Sequence, residues 1–225
     1  MEKLLVIQNH EVEKLGKIED YLKGLYNIEV KFAEELKGNE IFDALIVLGG
    51  PQGVYERDKY KYLDLEIDLI KKSIASNKRI LGISLGAQLL SHSAGGQVAK
   101  GTFGPEFGIL NVKTIGKLRE IIGKDEIHVL LWHRDTFTVP PNGELLGYTN
   151  KYFQAFKLGR SLGLQFHLEI DEKEIEDWFN AYTIVDSDII SSSSVNKQYI
   201  KDKFKELYME FYNNLEKIIK YWLSL

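Results

Sequence analysis

The chain has 225 residues, with 29 basic against 33 acidic side chains for a net charge of −4, and no cysteine. That length suits one α/β domain over residues 1–225, with roughly 70% or more of the unfolded surface buried and no need of a staple. The missing cysteine removes disulfides and thiolate metal sites and points to a cytoplasmic protein; near-balanced charge argues against nucleic acid or an anionic membrane as partner, and no apolar run approaches the ~18 residues of a membrane span.

In chain order, Leu4 to Ile7 reads as a buried first strand, with Gln8-Asn9-His10 as the loop at its carboxyl end, an edge that often lines sites. An amphipathic segment from about Val12 to Leu25 leads to a second strand at Ile28 to Phe32, and Asp43 to Leu48 makes a third, the start of a parallel sheet. Gly49-Gly50-Pro51-Gln52-Gly53 is too glycine-rich for a helix and leaves backbone N–H groups free to point at something. Leu63, Ile67, Ile70 and Ile74 then recur at spacings of four, three and four, which places one face of a helix over Tyr62 to Asn77 on the sheet.

Arg79 to Leu90 joins an apolar strand to a helix through Gly82-Ile83-Ser84-Leu85-Gly86. The glycines let strand and helix approach closely, so Ser84 is held at the tip of a strained turn with its hydroxyl near the helix N-terminus. The same pattern also occurs in ordinary strand-to-helix turns, and the rest of the chain decides between the two.

Beyond the break at Gly95-Gly96, Gly101 to Gly108 reads as an ordered irregular loop, and Ile109 to Thr114 and Ile127 to Trp132 as strands. The second strand delivers Trp132-His133-Arg134-Asp135 into a loop closed at Pro140-Pro141-Asn142-Gly143, with His133 read as a satisfied loop histidine. Phe153 to Phe156 and Leu162 to Phe166 have hairpin spacing across Lys157-Leu158-Gly159-Arg160. The second arm runs into His167-Leu168-Glu169, where a period of two points His167 and Glu169 the same way. The remainder reads as helical. Glu172 to Phe179 forms one helix, Ser191 to Ser194 act as breaker and cap supply, and a long helix carries Ile200, Phe204, Leu207, Phe211, Leu215, Ile218 and Trp222 as a core-facing stripe.

A hydroxyl becomes a nucleophile when a base takes its proton, and a base works best when a third group fixes its tautomer. Ser84, His167 and Glu169 suit those three roles, and the N–H groups of Leu85 and Gly50 can stabilise the oxyanion if the Gly49-Gly50 loop lies beside the turn. An α/β-hydrolase places its acid before its histidine, whereas Glu169 follows His167.

At Leu48-Gly49-Gly50-Pro51, Gly82 to Gln88, Trp132 to Phe137 with Pro140, and Gln165 to Glu169, the chain resembles the class I glutamine amidotransferases. The likeness covers about Asp43 to Ile170 and is greatest to the stand-alone branch similar to the glutaminase domain of GMP synthase. The resemblance implies a flavodoxin-like three-layer sandwich with a mostly parallel sheet, here with a helical C-terminal extension over about 172–225. It further implies hydrolysis of glutamine to glutamate and ammonia without a cofactor or metal, with Ser84 at the nucleophile position, His167 as base, Glu169 as orienter, Gly50 and Leu85 as oxyanion donors, and Gln88 and Gly49 beside bound glutamine. No synthetase pattern accompanies it, so any ammonia-accepting chemistry is expected on a separate synthetase chain or not at all.

Two residues depart from the family pattern. Leu168 stands where the family often has proline, which leaves both flanking side chains in place. Ser84 stands where the family has its cysteine, and a hydroxyl is far less acidic than a thiol. Three explanations stay open: a cysteine-to-serine change that traps substrate, a homologue that only binds or regulates, and a serine hydrolase.

Overall fold

Along the first strand Leu4 and Val6 face one side while Leu5 and Ile7 face the other, and all four are buried. A strand apolar on both faces needs a layer on each side, which is the arrangement found. The computed structural model describes residues 1–192 and 196–225. Its strands are β1 (Glu2–Gln8), β2 (Tyr26–Phe32), β3 (Ala44–Val47), β4 (Arg79–Ile83), β5 (Val98–Lys100), β6 (Glu106–Thr114), β7 (Glu126–His133), β8 (Asp135–Phe137), β9 (Glu144–Tyr148), β10 (Phe153–Leu158) and β11 (Ser161–Leu164). The helices are α1 (Ile18–Leu22), α2 (Tyr62–Ala75), α3 (Leu85–Ser93), α4 (Gly116–Ile122), α5 (Glu172–Tyr182), α6 (Ser187–Ser192) and α7 (Lys197–Ser224).

Nine strands form one sheet in the order β2-β1-β3-β4-β11-β10-β9-β6-β7, and β5 pairs with β8 beside it. From β2 to β11 every pairing is parallel, with Leu45 opposite Ile80 and Leu162 opposite Leu81. Beyond β11 the sheet continues antiparallel, as the expected hairpin requires. Leu63, Ile67, Ile70, Leu89 and Leu90 from α2 and α3 cover one face with Leu5, Ile7 and Leu45. Leu118, Trp178, Phe204, Phe211 and Trp222 from α4, α5 and α7 cover the other with Leu4, Val6 and Ile46. The result is an α/β three-layer sandwich closed by a C-terminal helix whose stripe is core, except that Leu207 is only partly buried.

Several local expectations change. Between Val12 and Leu25 only Ile18–Leu22 is helical, because Glu13 and Leu15 are drawn inward and Lys17 N–H donates to Glu169 O at 2.7 Å, which holds the chain in a loop. The loop expected to end at Gly108 ends earlier, since Glu106 to Gly108 pair with Leu131 to His133. The second arm of the hairpin stops at Leu164 rather than Phe166. There the chain leaves β4 and crosses toward β7, touching it in a single bridge between Leu130 and His167. Ser191 and Ser192 end α6 rather than break a helix, Ser193 and Ser194 lie outside the described residues, and the cap of α7 is Asn196, whose side chain accepts from Tyr199 N–H at 2.9 Å.

Candidate functional site

Ser84 sits between β4 and α3 with φ 53° and ψ −113°, a positive φ that costs a non-glycine residue about 1–3 kcal/mol. The surrounding glycines make the turn possible. A methyl group added at Gly86 would lie 1.9 Å from Val47 O, and one at Gly82 would lie 2.4 Å from Gly86 O, so strand and helix touch backbone to backbone. Ser84 N–H donates to Leu164 O at 2.7 Å, which ties the turn to the end of β11. The residue is 6% exposed, and its hydroxyl makes no hydrogen bond among the described residues.

Three residues beyond Leu164 lies His167, 1% exposed. Its Nδ1 is 2.6 Å from Glu169 Oε1, while Glu169 Oε2 accepts from Leu168 N–H at 2.9 Å. The pair meets as expected, but through an irregular segment rather than the alternation of a regular strand. Trp178 stacks edge-on against the imidazole at 4.6 Å and 83°, and its indole N–H is anchored on Val12 O at 2.8 Å. Burial pulls the His167 pKa down, but the charge and hydrogen bond of Glu169, reinforced by Glu13, outweigh it and hold the imidazole above its ordinary value.

Parallel pairing of β3 with β4 brings the Gly49-Gly50 loop beside the turn. A methyl group at Gly50 would lie 3.3 Å from Leu85 Cδ2, and neither the Gly50 nor the Leu85 N–H is used by a backbone hydrogen bond among the described residues. Ser84, Leu85, Gly50 and Gln88 line one cleft of about 400 Å³. Gly49 does not line it; a methyl group there would meet Glu13 Oε2 at 2.6 Å and Ser84 Cβ at 3.2 Å. Gln88 is held by Gln165, its Nε2 donating to Gln165 Oε1 at 3.0 Å.

His133 also lines the cleft, and both its ring nitrogens are engaged, Nδ1 with Asp135 O at 2.9 Å and Nε2 with Glu106 Oε2 at 3.2 Å. That is the satisfied histidine expected of it. Arg134 crosses the mouth to the segment after α5, pairing with Asp186 and Asp188, and Trp132 Nε1–H donates to Asp186 Oδ2 at 2.7 Å. Tyr182, Val185, Asp186 and Ile189 line the same cleft as Ser84. Among the described residues no group of three or more His, Asp or Glu side chains is arranged to hold a metal ion.

Glu13 and Glu66 are among the buried carboxyls that sequence reasoning missed. Glu13 stands 7% exposed beside the His167–Glu169 pair, with Oε1 accepting from the Tyr182 hydroxyl at 3.1 Å. Burial pushes its pKa up to about 7, aided by Glu169 and opposed chiefly by His167. Glu66 on α2 is fully buried behind the Gly49-Gly50 loop; it accepts from Asn9 Nδ2 at 3.2 Å, and burial pushes it up to about 8. Glu66 interrupts the apolar face of α2, and a charged residue on that face is a readable signal. Glu13 falls in a polar run with no such pattern.

A sequence model described as "Glutamine amidotransferase class-I" matches residues 12–180. A glutamine amidotransferase-like protein of Acanthamoeba polyphaga mimivirus is 30% identical over 197 residues, spanning 86% of this chain and 90% of that one. Gamma-glutamyl peptidase 4 of Arabidopsis thaliana is 29% identical over 56% of this chain and 51% of its own length, and a glutamine-hydrolysing GMP synthase of Helicobacter pylori is 33% identical over 67% and 29%. The chain therefore spans about half of the peptidase and under a third of the synthase. In three dimensions a crystal structure of a glutamine amidotransferase from Thermotoga maritima superposes with a TM-score of 0.88 at 27% identity, covering 99% of this chain and 98% of that one.

Proposed function

The chain belongs to the class-I glutamine amidotransferase family, and from that premise we propose that it binds glutamine and cleaves the γ-carboxamide through an acyl intermediate on residue 84. The observation that carries this reading is the backbone of Ser84, whose positive φ is kept at the end of β4 where Gly50 and Leu85 line the same cleft and where its N–H is tied to Leu164, three residues before His167. A turn strained for no chemical purpose would be an avoidable cost.

In the proposed mechanism His167 takes the proton of residue 84 through Nε2, while Glu169 fixes the opposite ring nitrogen and steadies the imidazolium. The Gly50 and Leu85 N–H groups meet the oxyanion, and Gln88, presented by Gln165, contacts the amino-acid end of the substrate. With an oxygen nucleophile the acylation step is slow, since a hydroxyl yields its proton far less readily than a thiol.

The test is ammonia release by the protein and by Ser84→Cys, with calorimetric titration of glutamine and with a γ-glutamyl dipeptide as comparison substrate. Binding by both forms and an increase of about tenfold or more in Ser84→Cys, equivalent to about 1.4 kcal/mol in the barrier, is the expected result. Rapid ester or peptide hydrolysis by the serine form would make it a serine hydrolase instead. An inert Ser84→Cys that fails to bind glutamine at millimolar concentration, where affinity is only about 4 kcal/mol, leaves a regulatory homologue.

A further inference from the structure

Glu13 has no part in the proposed triad, yet it lines the same cleft as Ser84. The loop that carries it is pinned on three sides: Glu13 N–H donates to His10 O at 3.1 Å, Val12 O accepts from Trp178 Nε1, and Lys17 N–H is held by Glu169 O. Tyr182 uses only Oε1. Oε2 has no hydrogen-bond partner among the described residues, lines the cleft with its residue, and abuts Gly49 at the point where a methyl group would also meet Ser84 Cβ. A carboxylate oxygen that opens on the cleft with no partner in the protein is available to a donor on the substrate.

The position determines what that use can be. Gly50 and Leu85 hold the donor side, where a carboxylate would oppose the oxyanion. Glu13 is bonded to Tyr182, which packs on the same Trp178 that lies edge-on to His167, and its loop is tied to Glu169 O through Lys17 N–H, so the carboxyl is set on the side of the base. The base side is where the leaving group departs, because the base returns its proton there. We propose that Glu13 Oε2 accepts a hydrogen bond from the leaving nitrogen of the scissile γ-carboxamide and so selects amide over ester substrates at this site. This rests on the acyl-transfer reading above. In the step concerned the nucleophile bonds to the carbonyl carbon of the γ-carboxamide, the C–N bond breaks, and nitrogen departs as ammonia with the proton from His167 Nε2. Glu13 exchanges no proton and orients one of the N–H groups that remain.

The groups facing Glu13 are His167, Glu169, Tyr182 and Asp186, and they come from three separate stretches of chain. With its pKa pushed up to about 7, chiefly by burial, Glu13 gains its ionised acceptor form as pH passes through neutrality. The ratio of amide to ester turnover should follow that ionisation, because His167 and residue 84 titrate alike for both substrates and cancel.

The experiment uses Ser84→Cys protein, with and without Glu13→Gln, on glutamine and on glutamic acid γ-methyl ester, whose leaving group has no N–H. Glu13→Gln is expected to lower kcat/KM for glutamine by about ten- to hundredfold and that for the ester by no more than about twofold, the loss typical of one hydrogen bond to a charged group. The amide-to-ester ratio rises through about pH 7 with Glu13 and is flat with Glu13→Gln. Tyr182→Phe, which frees Oε1 but keeps the carboxyl, gives a smaller loss of the same sign. Equal losses on both substrates, or no loss on either, overturn the proposal. Failure of Ser84→Cys on both substrates while Glu13 is intact overturns the acyl-transfer reading and this proposal with it, a result distinct from an amide-only effect of Glu13.

Discussion

His167 and Glu169 are joined Nδ1 to Oε1 at 2.6 Å in a pocket closed by Trp178. In the proposed mechanism, with Nδ1 committed to the carboxylate, Nε2 is the nitrogen left for residue 84, and the carboxylate would steady the charged imidazole that proton transfer creates. Glu169→Gln in Ser84→Cys protein is therefore expected to lower kcat for glutamine by roughly 10³- to 10⁴-fold with glutamine binding little changed. Steady-state kinetics beside calorimetry check this, and a loss confined to KM would assign Glu169 a binding role.

Gly86 is fixed by backbone contact. A Cβ there would overlap Val47 O at 1.9 Å, and neither the β3 backbone nor α3 can yield without opening the sheet. Gly86→Ala should cost about 3 kcal/mol or more, at the severe end for overpacking. Urea denaturation measures it, and a change under about 0.5 kcal/mol, the range of an ordinary surface substitution, would show that the turn is looser than described.

Glu66 makes stability depend on pH. Its carboxyl is pushed from an ordinary 4.5 to about 8 by burial, so the folded state holds a proton that the unfolded chain releases. The associated stability is fully present below about pH 4.5 and is lost as pH rises through about 8. Glu13 acts in the same direction up to about 7. Urea midpoints between pH 5 and 9 should fall less steeply for Glu66→Gln than for the unmodified protein. Parallel curves would mean that Glu66 is ionised in the folded state.

Trp222 near the end of α7 is fully buried and packs at 6.4 Å from Tyr26 on β2, so the C-terminal helix completes the core. Trp222→Ala is expected to cost about 3–5 kcal/mol. Thermal unfolding reports it, and a shift of only a degree or two would make the helix an appendage.

The sequence by itself determined the parts of this protein whose cause is local. Apolar runs on both faces at Leu4 to Ile7 and Ala44 to Leu48 admit only a sheet covered on both sides, which is what encloses them. Gly82 and Gly86 around Ser84 admit a turn that other residues would block, and Leu63, Ile67 and Ile70 admit one buried helix face. Tertiary structure decided what depends on distant segments meeting. Val12 to Leu25 has the composition of an amphipathic helix, but Glu169 O captures Lys17 N–H and Trp178 captures Val12 O, so most of it becomes the loop that delivers Glu13. His167 and Glu169 were legible as a pair, whereas their irregular path was not, because it follows from the step that the chain takes between β4 and β7. A lone glutamate in a polar stretch carries no period. Its burial against Tyr182 and Gly49 arises from contacts 169 and 36 positions away, and only the folded chain brings those together.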